Sequence, residues 1–157
     1  MRVTRVFTAL AAVAVLGIAC GDDATGIPAG LEVFTATLNG ANEAPTAVTT
    51  TATGHATVTI LGDSLVSWEV IIDSPIDSVI AGHIHRRAAD SVAGPVAVNF
   101  APPATGIGFT GTVTLGSSSP AGAADSIFDI MRDGRAYVNI HTRKNTGGEI
   151  RGTLVKQ

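Results

Sequence analysis

From Leu31 onward, apolar and polar residues alternate in short runs separated by Gly, Pro, Asn or Asp, a pattern that predicts strands rather than helices. In Leu31–Asn39, Leu31, Val33, Thr35 and Thr37 fall on one face and Glu32, Phe34, Ala36 and Leu38 on the other. Further strands are expected over His55–Leu61 and, after a tight Gly62-Asp63 turn, over Ser64–Asp73, where Val66, Trp68, Val70 and Ile72 share the core face. Ser78–His85, Pro95–Phe100, Gly106–Leu115, Ala136–Thr142 and Glu149–Val155 complete the set. Period 3.6 recurs only in Ala121–Arg132, with Ser119-Pro120 as its opening, Ile127, Ile130 and Met131 as its apolar stripe and Gly134 as its stop. About eight strands and one short helix predict an all-β fold, a Greek-key β-sandwich or barrel, superoxide-dismutase-like or immunoglobulin-like in outline.

The first residues follow a different pattern. Arg2 and Arg5 precede the apolar run Phe7–Leu16, and small residues then lead to Cys20, the only cysteine. The run is shorter than the roughly 18–20 residues a spanning helix needs, and polar Gly21-Asp22-Asp23 follows at once, so residues 1–19 read as a cleaved export signal. The segment resembles a bacterial lipoprotein signal, which implies acylation of Cys20 and a membrane tether through that lipid. Gly17 stands where such signals carry an aliphatic residue, and Leu16 lies one place further out. A lone cysteine in an oxidising compartment has no partner in its own chain, which favours lipidation over an incidental thiol. Residues 20–30, small and polar with Gly and Pro, form a tether, and 31–157 form one domain in the cell envelope, at the outer membrane or cell surface.

Composition narrows the function classes. Charged residues are only 15 % of the 157 and aromatics 4 %, while Gly reaches 18, a balance that suits strands and turns. Loss of Arg2 and Arg5 leaves 8 basic against 13 acidic residues, a net charge near −5. That acidity, with no basic patch interleaved with aromatics, excludes nucleic acid as a partner.

Candidate chemistry lies on two strands. In Gly82-His83-Ile84-His85 the period of two puts both imidazoles on one face, and in Tyr137-Val138-Asn139-Ile140-His141 it groups His141 with Asn139 and Tyr137. If the strands are neighbours, three imidazoles converge. A His-x-His pair completed by a third His is a donor set for copper or zinc, with Glu149 as a nearby carboxylate. The alternative is a solvent-facing polar surface whose histidines bond to backbone or carboxylate. Glu149 and Arg151 share a face of the last strand and are expected to form a salt-bridged strand pair, worth little if exposed. His55, near the start of its strand, faces water. No Gly-x-Ser-x-Gly elbow marks a nucleophile, and Gly106-Ile107-Gly108 lacks the helix start a phosphate loop needs.

Four segments together resemble the CHRD domain, the module named after chordin. They are Leu38-Asn39-Gly40-Ala41-Asn42-Glu43-Ala44-Pro45, Ala81-Gly82-His83-Ile84-His85, Gly94-Pro95-Val96, and Tyr137-Val138-Asn139-Ile140-His141-Thr142 with Gly148-Glu149-Ile150-Arg151-Gly152. The likeness spans about Leu31 to Val155 and departs at Gly82 and in the single proline, Pro45, after Glu43. It implies a β fold and export. It marks Asn42, Glu43, Asn139 and Arg151 as structural motif residues and supplies no catalytic ones. The His-x-His strand is also similar to that of copper–zinc superoxide dismutase, yet one cysteine cannot form that enzyme's disulfide, and fold likeness is not activity.

Two functions follow from different classes. One is a lipid-tethered binding or structural module whose loops engage an extracytoplasmic protein or polymer. The other is a copper- or zinc-binding protein using His83, His85 and His141. An enzyme without metal ranks below both.

Overall fold

The computed structural model describes residues 30–100, 108–114 and 124–157. The expected signal, Cys20 and most of the tether lie outside them, as do the Ser119-Pro120 helix opening and Gly106-Ile107. Among the described residues, nine strands and one α-helix follow in the order β1 (Leu31–Asn39), β2 (Thr53–Leu61), β3 (Leu65–Ile72), β4 (Val79–Arg86), β5 (Val96–Asn99), β6 (Gly108–Thr114), α1 (Ala124–Arg132), β7 (Ala136–Thr142), β8 (Ile150–Thr153) and β9 (Val155–Lys156). A 3-10 turn, Gly40–Asn42, follows β1.

All described strand pairs are antiparallel, in the order β5-β4-β7-β8-β1-β2-β3-β6, with β9 added beside β1. The sheet bends into a nearly closed barrel, so the all-β expectation holds and the barrel outline describes it better than two separate sheets. Its inner face carries the alternate residues that the period of two selects. Phe34, Val58, Val66, Val70, Ile84, Val138, Ile140 and Ile150 are all fully buried. Each such side chain contributes about 1.5–3 kcal/mol relative to exposure. Trp68 stacks on Phe100 at 4.8 Å between ring centroids, carrying the packing from β3 to the end of β5. Gly111 lies opposite Trp68, where any Cβ would overlap the indole.

The helix packs with Ile127, Phe128 and Met131 buried; Phe128 extends the expected stripe, and Ile130 is only partly covered. It stops at Gly134, whose positive φ of 66° lets its amide reach the Met131 carbonyl. Two expectations change in detail. The β2–β3 hairpin pairs Leu61 with Leu65, so three residues turn the chain rather than two. The single last strand is broken into β8 and β9, because Leu154 turns into the core and its amide bonds the Ala136 carbonyl at 3.0 Å.

One departure from a half-solvated sheet positions the site. Every residue of β7 is buried, on both faces. The outer face of β7 therefore lies under protein, and that of the adjoining β4 and β8 is partly covered, by the segment around Ser91–Gly94 and by the β7–β8 turn.

Candidate metal centre

Strand alternation and register bring the histidines together. His83 pairs with Asn139 and His85 with Tyr137 across β4 and β7, and Ala81 pairs with His141, so the three imidazoles stand side by side on the covered outer face. Ring centroids are 4.8 Å apart for His83 and His141, 5.3 Å for His83 and His85, and 5.9 Å for His85 and His141. One nitrogen from each can be chosen so that all lie within 4.8 Å of one another.

Hydrogen bonds fix the protons. His85 Nδ1 lies 2.9 Å from the Gly94 carbonyl and His141 Nδ1 3.0 Å from the Thr146 carbonyl. A carbonyl only accepts, so each Nδ1 donates and each Nε2 keeps its lone pair. His83 Nδ1 then donates to His141 Nε2 at 3.0 Å. His85 Nε2 is buried with no partner among the described residues. Backbone carbonyls on the remote nitrogens, with lone pairs turned inward, are the usual outer shell of metal-ligating histidines.

Electrostatics favour the neutral, ligating form. Burial lowers His83 to about 4, helped by the neighbouring His141 and His85. Burial also lowers His85 and His141, against the opposing pull of their carbonyl bonds. Near neutral pH all three are uncharged. A tetrahedral metal with bonds of about 2.0–2.1 Å separates its nitrogens by about 3.3 Å. The 3.0 Å His83–His141 pair is already close to that separation, and one nitrogen of each of the three rings lies within 4.8 Å of the others.

Glu149 is not brought to this cluster. Its Oε2 accepts from Thr142 at 2.6 Å and Asn145 at 3.1 Å, and its Oε1 from Thr50 at 2.7 Å. Burial raises its pKa, but those donors outweigh it and the net shift is downward. The carboxylate braces the β7–β8 turn that carries Thr146. The expected Glu149–Arg151 ion pair is absent among the described residues, and Arg151 is not exposed. Its guanidinium lies 3.5 Å over the Tyr137 ring and one Nη donates to the Val92 carbonyl. Tyr137 in turn stacks on His85 at 4.9 Å with an interplanar angle of 5°, and its hydroxyl meets Gly94. Arg151, Tyr137 and His85 thus form one stack beneath the Ser91–Gly94 segment. Nothing in the isolated strand patterns marked Tyr137 or Arg151 for this packing.

The other motif residues sit beside it. Asn42 donates to the Arg151 carbonyl at 3.1 Å, and the Asn39 side chain caps the Asn42 amide at 3.0 Å. Glu43 accepts from Asn139 at 3.4 Å, while Glu43 Oε1 and Asn139 Oδ1 are buried without partners among the described residues. Burial pushes Glu43 up to about 7, with Arg151 pulling the other way. Gly148, at φ 135°, is pressed against both side chains, and a Cβ there would overlap them. His55 stands apart on β2, exposed and paired with Asp73 at 3.1 Å.

The family model for the CHRD domain matches residues 34–154. No curated protein and no solved structure matches the chain.

Proposed function

The chain belongs to the CHRD domain family, and on that premise we propose that it is an exported, membrane-tethered binding module whose ligand is a copper or zinc ion held by His83, His85 and His141. The observation that carries the reading is the unpartnered, buried Nε2 of His85, whose lone pair is fixed by Nδ1 donation to Gly94. A structural histidine covered by protein would satisfy that atom. An all-imidazole donor set suits Zn(II) or Cu(II), and with three protein ligands the ion retains an open position. His83 joins by moving its proton from Nδ1 to Nε2, which frees the nitrogen nearest His141. Arg2, Arg5, the apolar run after them and Cys20 support export and a lipid anchor.

Metal analysis of protein purified without a histidine tag and incubated with copper or zinc tests the site. About one equivalent is expected in the wild type, and a large loss in His83→Ala and His141→Ala. A wild type without stoichiometric metal ends the reading. The tether is tested separately: Cys20→Ala should release the protein from the membrane fraction, and unchanged fractionation would refute lipid anchoring.

A further inference from the structure

A second polar site lies at one end of the barrel, where β4 and β7 meet α1. A cleft of about 270 Å³ is lined by Arg86, Arg87, Ala88, Pro95, Ile130 and Arg135. Strand alternation turns Arg86 to the face opposite His85, so this cleft is separate from the histidines. The chain from Leu31 on carries 8 basic residues and is acidic overall, yet three of the arginines share one cleft.

Their arrangement is costly without a ligand. Arg87 and Arg135 lie across from each other, the Arg87 amide donating to the Arg135 carbonyl at 3.0 Å. Like charges at opposed positions of paired chains are destabilising. Both guanidiniums are nonetheless held in place by carbonyls. Arg87 donates to Gly134 at 3.1 Å and to Ser91 at 3.5 Å, and Arg135 to Arg87 at 3.3 Å. One carboxylate, Asp133, pairs with Arg135 at 2.7 Å. The Arg86 amide donates to the Pro95 carbonyl at 3.0 Å, but its side-chain Nε is buried with no partner among the described residues. Three cations against one anion leave a charge near +2 over an apolar floor of Ala88, Pro95 and Ile130, where screening by water is reduced.

We propose that this cleft binds a phosphoryl group, with Arg86 as its bidentate fork and Arg87 and Arg135 as flanking donors. A dianionic tetrahedral oxyanion matches the residual charge, whereas one carboxylate would neutralise only half of it. Guanidinium forks are suited to phosphate oxygens. The group can come from free phosphate or from an anionic lipid headgroup, and this site does not depend on a metal at the histidines.

Calorimetric titration of inorganic phosphate into the mature chain, with chelator present, should show saturable binding at one site. Arg86→Gln and Arg135→Gln should each weaken it at least about tenfold, and Arg86→Lys less than Arg86→Gln. Phosphate should also raise the urea midpoint of the wild type, a readout that needs no variant to fold. Co-sedimentation of Cys20→Ala protein with vesicles of phosphatidylcholine alone or mixed with phosphatidylglycerol separates the sources. Phosphatidylglycerol-dependent sedimentation lost with Arg86→Gln identifies a headgroup, and phosphate binding without sedimentation identifies the free ion. Absence of binding to either probe, or affinity unchanged in both glutamine variants, overturns the proposal.

Discussion

Replacing Glu43 by Gln should stabilise the protein at alkaline pH and change it little in acid. Glu43 is 8 % exposed, and burial carries its pKa from 4.5 to about 7 despite the Arg151 charge. Because the folded value is raised, the favourable contribution of the protonated group is full below about 4.5 and is lost as pH rises through about 7. At 1.36 kcal/mol per pH unit the loss amounts to about 3 kcal/mol. Titrating both states places about 1 kcal/mol of it by pH 5 and nearly all by pH 8. Glutamine never ionises, and at every pH its amide supplies a donor beside Asn139 Oδ1, which has no partner among the described residues. Urea denaturation of wild type and Glu43→Gln at pH 5 and pH 8 isolates the effect, since the histidines contribute equally to both proteins. The stability difference between the two should shift by about 2.5 kcal/mol in favour of glutamine between those pH values. A difference that does not move with pH would refute ionisation of Glu43 as a cost of folding.

Three further outcomes follow from packing and charge. Gly111→Ala forces a methyl into the Trp68 indole and should cost about 1–3 kcal/mol, with a change in tryptophan emission, measurable by urea titration followed by fluorescence. Arg151→Lys keeps the charge but loses the planar contact with Tyr137, so stability should fall by about 1–2 kcal/mol; an unchanged urea midpoint would show that the stack contributes nothing. Glu149→Gln removes the charge that Thr50, Thr142 and Asn145 serve, at a cost of about 1–3 kcal/mol at pH 7. Since the folded pKa of Glu149 is lowered, its contribution is present above about 4.5 and is lost as pH falls, so the gap should narrow at pH 3.5, as urea curves at the two pH values would show.

Period-two alternation was sufficient to read the barrel interior. The bounds of β1 and β7 follow from it directly, and Val66, Trp68, Val70 and Ile72 are core as their spacing requires. Where the reading fell short, the cause is contact between residues distant in sequence. The break at Leu154 depends on an amide bond to Ala136, and the place of Glu149 depends on Thr50, ninety-nine positions away. The carbonyls that set the histidine tautomers belong to Gly94 and Thr146, which carry no side-chain signal. A clue to the covered outer face was nevertheless present: Ala136–Thr142 contains no charged residue on either face, as befits a strand buried on both.

Covering that face with imidazoles, a carboxyl, an amide and a guanidinium is expensive compared with an apolar layer. A layer kept only to lock the loops would be expected to satisfy its own polar atoms, as Glu149 and Asn42 do. Instead Glu43 Oε1, Asn139 Oδ1 and His85 Nε2, all in the same layer, have no partners among the described residues. Trp68 Nε1 and Arg86 Nε are unsatisfied singly elsewhere, but three such atoms gathered in one layer point to function at that place. Asn42, Glu43, Asn139 and Arg151 are then best understood as the frame. Arg151 holds Tyr137 and the Val92 carbonyl, Tyr137 holds His85, and Asn42 holds the backbone of Arg151. Loss of a frame residue should therefore loosen the histidine geometry without removing a ligand, weakening metal affinity where His83→Ala abolishes it.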